Sequence, residues 1–176
     1  MYLINRNMKK LLSAVFLLFV AFNINAQEKK PVLSPPATAS ETLKNGAVVT
    51  INYAQPAVKG RKIGSDIAPY GKIWRTGANA ATQFEVSKDV KIKGSVLPVG
   101  KYALFTIPGE KEWTIIFNKT WDQWGAYKYD EKQDALRFTV KAVKAKAFAE
   151  RLTFNIEKSG KVSLTWGDVL IAFDVQ

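Results

Sequence analysis

The sequence predicts an all-β protein, a single antiparallel β-sandwich or jelly-roll-like domain of about eight to nine strands with two long loops. Apolar and polar residues alternate with a period of two along most of the chain, as at Val49, Ile51 and Tyr53. Glycine and proline turn signals separate these short runs, and no long stretch has helical periodicity. This combination is typical of half-buried strands joined by turns.

The alternation also locates the strands. The clearest hairpin joins 97–107 to 112–118 around Pro108 and Gly109, because proline followed by glycine favours a tight turn. Only 142–149 has the pattern of a helical turn. The remaining strands are predicted at 47–54, 82–87, 90–93, 136–142, 152–158, 161–166 and 169–175, with turns at Ser159-Gly160 and Gly167-Asp168.

The N-terminus has the pattern of a cleavable signal peptide over residues 1–26. Arg6, Lys9 and Lys10 precede an apolar run over 11–22 that is shorter than a membrane span, and the small residue Ala26 precedes the expected cut. We therefore expect an exported protein, periplasmic or secreted, with no transmembrane segment in its mature chain. Residues 27–36 predict an extended, proline-rich lead-in, and 37–176 a single sandwich domain.

Composition narrows the chemistry. After cleavage, 23 Lys and Arg would face 15 Asp and Glu, a net charge of +8 that favours a glycan or another anionic small molecule as partner. Export argues against nucleic acid. The chain has no Cys and no His, which excludes a lipidated cysteine, a catalytic Ser-His-Asp triad and a His/Cys zinc site. We expect no cofactor and no bound metal.

Two stretches interrupt the alternation, and loops on a rigid β scaffold often carry function. The first covers 55–81. Arg75 could donate a planar fork to a carboxylate, a phosphate or sugar hydroxyls, or it could pair with Asp66 or Asp122 and pin the loop. The candidate ligand-binding residues of this loop are Arg61, Asp66, Tyr70, Trp74, Arg75 and Asn79.

The second stretch covers 118–134 and is rich in aromatic residues. Such rings could stack on the apolar face of a sugar or cover one end of the sandwich. Its candidate residues are Trp121, Asp122, Gln123, Trp124 and Tyr127. We expect the two loops to lie side by side, with Arg75 over or beside Trp121 and Trp124.

Four segments stand out as strings: 53–61, Pro69-Tyr-Gly-Lys-Ile-Trp-Arg-Thr-Gly-Ala-Asn79, Leu97-Pro-Val-Gly-Lys-Tyr102 and Trp121-Asp-Gln-Trp-Gly-Ala-Tyr127. Together they resemble DUF2911, a family of mostly exported proteins of Bacteroidetes-type bacteria. The resemblance implies no established activity. Where that family usually has Glu after Gly-Ala-Asn, this chain has Ala80, so any role of that acid is absent or filled elsewhere.

Three functions remain open at this point. The first is a non-catalytic binding module that holds a glycan or another anionic ligand between the loops. The second is a hydrolase or isomerase with a carboxylate pair, such as Asp66 with Asp122 or Glu131. The third is a scaffold or accessory protein that binds another protein.

Overall fold

A computed structural model describes residues 32–176, which form one compact unit. The predicted signal peptide and the first part of the lead-in lie outside the described residues. The ten strands are β1 Pro36–Thr42, β2 Val48–Ala54, β3 Thr82–Val86, β4 Val90–Ile92, β5 Ser95–Leu97, β6 Gly100–Ile107, β7 Glu112–Asn118, β8 Asp134–Lys141, β9 Val143–Ile156 and β10 Lys161–Asp174. The one helical element described is a 3-10 turn at Glu131–Gln133. None of the described segments is a helix with the length and hydropathy needed to cross a membrane.

The strands form an antiparallel sandwich, so the predicted fold class is confirmed. Six strands make the larger sheet in the order β1-β2-β3-β6-β7-β8, and the long β9–β10 hairpin forms a second layer. The β4–β5 hairpin makes a small third sheet. Every pair of neighbouring strands is antiparallel.

One apolar core joins the two layers. It takes alternate residues of the larger sheet, such as Ile51, Phe84 and Phe117, because alternate side chains of a strand share a face. The hairpin contributes Phe154 and Phe173 to the same core. The phenylalanine rings of this core pack edge to face or tilted, with Phe84 and Phe117 centred 4.7 Å apart.

Strands β6 and β7 are also apolar on their other face. Phe105 of β6 and Ile116 of β7 are fully buried there, with Ala81 and Ala103. Tyr129 and Ile73, one from each long loop, pack against this smaller cluster. The two loops therefore cover the outer face of β6 and β7. Water would otherwise reach the apolar residues on that face.

Three local predictions are wrong. Residues 142–149 do not form a helical turn, because β9 begins at Val143 and continues to Ile156 as one arm of the long hairpin. Gly167-Asp168 is not a turn between two strands but an irregularity within β10, which bends there. The polar, small-residue strand β1 is paired by its backbone with β2 and was not predicted. The predicted strand over 97–107 divides as well, since β5 ends at Leu97 and β6 begins at Gly100, so residues 32–176 form ten strands.

Truncation of a core ring should destabilise this sandwich. We expect Phe117→Ala to lower the free energy of unfolding by about 3–5 kcal/mol, because it removes a fully buried side chain and leaves a cavity. Phe148→Ala is the matched control, since Phe148 also lies in a strand but is 57% exposed. Denaturant titration measures both. Equal losses in the two variants would contradict this packing.

Candidate functional site

The first long loop ends in an excursion from the sheet. Thr82 pairs with Leu104 of β6, and Trp74 pairs with Thr106 of the same strand. In a regular antiparallel ladder, the partner of Thr106 would be residue 80. Residues 75–81 instead leave the ladder and return to it. A hydrogen bond from Thr82 N–H to the carbonyl of Arg75 (3.1 Å) closes the base of this excursion.

The excursion has a strained backbone. Thr76 has φ 53° and Asn79 has φ 62°, both in the left-handed region. This conformation is unfavourable for a β-branched residue such as Thr76 and costs on the order of 1–3 kcal/mol. The Thr76 hydroxyl lies 3.2 Å from that of Thr106, and its carbonyl accepts a 2.9 Å bond from the Thr82 hydroxyl. The ladder on both sides therefore holds the strained residue in place.

The next turn of the excursion accepts only glycine. A Cβ on Gly77 would lie 2.8 Å from Oγ1 of Thr82 and 3.2 Å from the carbonyl of Ala54. This close approach explains the glycine in the Trp-Arg-Thr-Gly-Ala-Asn string on physical grounds.

Three tryptophans anchor the start of the excursion. The Trp74 ring stacks on Trp166 of β10, with centroids 5.1 Å apart and planes 12° from parallel. Its edge meets Trp113 of β7 at 6.0 Å. Trp113 and Trp166 are both 1% exposed. Large buried rings resist displacement, so Arg75 extends from a rigid base.

A buried asparagine anchors the second long loop at its two ends. The Asn118 amide donates to the Asp130 carbonyl (2.9 Å) and to the Asp134 carboxylate (2.8 Å), and its oxygen accepts from Thr120 N–H (3.0 Å). The Tyr129 hydroxyl donates to the other carboxylate oxygen of Asp134 at 2.7 Å. These bonds close the loop across its base.

Backbone hydrogen bonds join the two loops. Ala81 N–H donates to the Gln123 carbonyl (3.0 Å), and Gly125 N–H donates to the Asn79 carbonyl (3.1 Å). Ala80 and Trp124 form the bridge pair between these bonds. The predicted adjacency of the loops is therefore observed, and the position that carries Ala80 lies at their seam.

An open cleft of about 630 Å³ lies beside the excursion. Four of the predicted residues line it: Arg61, Trp74, Arg75 and Asn79. Trp166, which was not predicted, lines it as well. The other lining residues are Val32, Leu33, Ser34, Pro56, Ile67, Ala68, Pro69, Gly77 and Ala78. Among residues 32–176, the lining thus includes two arginines and no acidic residue.

Two buried N–H groups at this cleft have no acceptor. Nε of Arg75 and Nε1 of Trp166 are shielded from solvent and make no hydrogen bond to any residue of 32–176. Burial lowers the pKa of the Arg75 guanidinium, and the nearby Tyr127 hydroxyl offsets part of this shift. In addition, no backbone N–H of residues 75–80 donates to another described residue. The excursion therefore presents donors without partners.

No carboxylate of the described chain pairs with Arg75. The two salt bridges within residues 32–176 join Lys101 to Glu85 and Arg137 to Glu131. Asp66 instead accepts from Lys62 N–H and from the Ser65 hydroxyl within its own turn. The pairing of Arg75 with Asp66 or Asp122, expected for a structural staple, is absent from this part of the chain.

Arg61 is held in place by hydrogen bonds from two of its three guanidinium nitrogens. Its Nε donates to the Val58 carbonyl (3.1 Å) and its Nη2 to the Ala57 carbonyl (2.7 Å). These bonds hold the guanidinium at the cleft, and they leave Nη1 without a bond to any described residue. Tyr70 lies apart from the cleft lining, with its ring packed against Gly64.

The predicted residues of the second loop do not line the cleft. Lys101, not Arg75, lies over the Trp121 ring, 5.1 Å from its centre. Gln123 is buried and donates to the Thr120 carbonyl, whereas Asp122 is exposed. Trp124 and Tyr127 are 66% and 87% exposed. These two rings form a solvent-facing aromatic surface.

Trp166 was missed because the sequence pattern placed it at the end of a strand before a turn. The available signal was Gly167, since a glycine inside a strand pattern marks a bulge that redirects a neighbouring side chain. Gly167 has φ 55°, and the register of β10 shifts on both sides of it.

Within residues 32–176, no group of three or more acidic side chains is arranged to hold a metal ion. The fold and the cleft together define a β-sandwich protein whose larger sheet is interrupted to form a basic cleft. The chain belongs to the family described as "Protein of unknown function (DUF2911)", whose profile matches residues 34–175. That match covers every strand and confirms the resemblance inferred from the sequence. No curated protein and no solved structure matches the chain.

The stability that the second-loop anchor contributes should decrease at alkaline pH. Burial and the hydrogen bond to Asp134 raise the pKa of Tyr129 well above its usual 10.0. Above pH 10 the unfolded chain would lose this proton while the folded chain keeps it, so stability falls as pH rises. We expect Tyr129→Phe to lose less stability than the unmodified protein between pH 9 and 11, measured by urea titration at each pH. Parallel curves would show that the bond to Asp134 does not hold the proton.

Proposed function

We propose that this protein is a non-catalytic ligand-binding module that holds an anionic group in the cleft beside Arg75. The observation that carries the proposal is the pair of buried, unbonded N–H groups of Arg75 and Trp166 at one cleft. A buried donor without an acceptor costs about 1–3 kcal/mol. An acceptor on a ligand that enters the cleft would offer these donors a partner.

Charge favours an anion over a neutral ligand. Arg61 and Arg75 line the cleft, and no acidic residue lines it. An unpaired, partly buried guanidinium is unfavourable by itself, and an incoming carboxylate or phosphate would neutralise it with charge-assisted bonds. The free N–H groups of the excursion support the same reading, because turns with left-handed residues can direct several amides at one anion.

The strained backbone supports a site over a staple. Strained residues cluster at sites where the surrounding structure holds a functional geometry. Thr76 and Asn79 are both in the left-handed region, and they flank the turn that follows Arg75. A structural staple would need a partner for the guanidinium within the chain, and the described residues provide none.

Binding is favoured over carboxylate catalysis. A hydrolase of the second class needs two carboxylates facing one substrate. Glu131 is paired with Arg137, Asp66 is bonded within its own turn, and none of the acidic residues lines the cleft. The lining of the cleft by residues 32–176 therefore supports binding over catalysis by a carboxylate pair.

The N-terminal pattern extends the proposal to a compartment. A signal peptide over residues 1–26 would place the module in the periplasm or outside the cell. The ligand would then be an anionic small molecule or glycan of that environment, not a nucleic acid.

Replacement of Arg75 tests whether it is a ligand-binding residue. We expect Arg75→Lys to leave the melting temperature of the free protein nearly unchanged, because no bond to Nε is lost. The same variant should lose the stabilisation by citrate or inorganic phosphate, which is about 2.7 kcal/mol at one hundred times the dissociation constant. Thermal unfolding with and without each anion measures this. The two anions distinguish carboxylate from phosphate as the preferred group.

Arg137→Lys is the matched control for that experiment, since Arg137 is paired with Glu131 and does not line the cleft. It should keep the full anion response. A large loss of melting temperature in ligand-free Arg75→Lys, with no anion response in the unmodified protein, would show that Arg75 is a staple.

The indole of Trp166 offers a second readout. We expect its N–H resonance in a ¹⁵N-correlated NMR spectrum to move downfield when the anion binds, because a new acceptor deshields the proton. The signal is assigned by its absence in Trp166→Phe. An indole resonance that stays fixed while the anion saturates the protein would remove Trp166 from the site.

A further inference from the structure

The exposed aromatic residues of the second loop, Trp124 and Tyr127, are joined to the cleft lining by a backbone hydrogen bond from a residue between them in sequence. Gly125 N–H donates to the carbonyl of Asn79, which lines the cleft. The Tyr127 ring lies against Gly125, since a Cβ at that glycine would meet two ring carbons at 2.8 and 2.9 Å. Tyr127 also acts electrostatically on Arg75. The Tyr127 ring is therefore linked to the cleft lining through Gly125 and Asn79.

Nothing in the described chain covers this ring. Tyr127 is 87% exposed and Trp124 is 66% exposed, although large aromatic side chains are normally mostly buried. The other two aromatics of the loop have partners. Tyr129 packs on Phe105, with ring centres 5.1 Å apart, and Trp121 lies under Lys101. The exposure of Tyr127 and Trp124 is thus a local feature and not a general looseness of the loop.

We propose that the ligand is an acidic sugar of the uronate class, with its carboxylate in the cleft and its pyranose ring on Tyr127. This inference rests on the proposed function. A carboxylate has two oxygens in one plane, which suits two N–H donors such as Arg75 Nε and Trp166 Nε1. The apolar C–H face of a pyranose suits an aromatic ring, and its hydroxyls suit the amide of Asn79.

The charge of the site fits the same ligand. The loops around the cleft contribute Arg61 and Arg75 to its lining and no acidic residue. A chain of uronates carries one negative charge on each ring, so it can meet both cations along its length. A neutral sugar would leave the two donors without a charged acceptor, and a free anion would leave the aromatic surface exposed.

The test compares three kinds of probe on the full mature chain by isothermal titration calorimetry. The acidic probes are trimers of galacturonate, glucuronate and mannuronate, the neutral probes are their methyl esters, and the free anion is citrate. We expect at least one uronate trimer to bind about fivefold or more tightly than both its methyl ester and citrate, because only the uronate uses both the donors and the ring.

Variants separate the two contacts. Tyr127→Ala should weaken uronate binding about fivefold and leave citrate binding unchanged, and Tyr127→Phe should restore the uronate affinity because stacking does not need the hydroxyl. Arg75→Lys should weaken both ligands. Phe148→Ala is the matched control, since it removes another exposed aromatic ring, one in β9 and outside both long loops, and should change neither affinity.

The outcomes separate the acidic-sugar assignment from the proposed function. If citrate binds through Arg75 but no uronate binds more tightly than citrate, or Tyr127→Ala leaves the uronate affinity unchanged, the acidic-sugar assignment is wrong and the anion cleft stands. If neither citrate, phosphate nor any uronate binds, the proposed function and this inference are both wrong. If the methyl esters bind as tightly as the acids, the sugar surface is real and the carboxylate assignment is wrong.

Discussion

The burial of β6 and β7 on both faces is the constraint on which the rest of this structure depends. Leu104 and Phe117 face the sandwich core, whereas Phe105 and Ile116 face the other way and are fully buried as well. A second layer covers the inner face, and no strand covers the outer one. The two long loops must therefore lie across it and against each other. The need to shield these apolar residues from water therefore sets the position of both loops and of Arg75.

This arrangement separates stability from the proposed site. The loops are held by Ile73 and Tyr129 against the outer cluster, by the Asn118 bonds at the base of the second loop and by the backbone seam. None of these contacts uses the Arg75 side chain. The residue can therefore remain without a partner inside a well-fixed loop, and its desolvation is tolerated because the packing around it supplies the stability.

The sequence predicted the parts of this fold that depend on local pattern. Val49, Ile51 and Tyr53 alternate along one predicted strand and all lie in the core, because alternation records which face is buried. Strand β1 was missed because it is small and polar, and its place is set by backbone pairing with β2. The 142–149 segment was misread because its alanines and lysines suit a helix, whereas the long hairpin imposes a strand.

The site was predicted in part for the same reason. Residues in one continuous string, such as Trp74, Arg75 and Asn79, reach the cleft together because a single excursion carries them. Trp166 arrives from the other layer, more than eighty positions further along the chain, and no local pattern records that contact. The aromatic residues of the second loop were expected around Arg75. Lys101 lies over the Trp121 ring instead, and a backbone hydrogen bond between the loops links the segment before Tyr127 to Asn79.

The excursion leaves and rejoins the same ladder, since Trp74 and Thr82 pair with residues of one strand, Thr106 and Leu104. The number of residues between these two points is therefore independent of strand register. Insertions or deletions within 75–81 can alter the shape of the cleft while β3 and β6 keep their alignment. The sandwich is thus a fixed frame, and changes confined to this segment could alter the cleft without rebuilding the core.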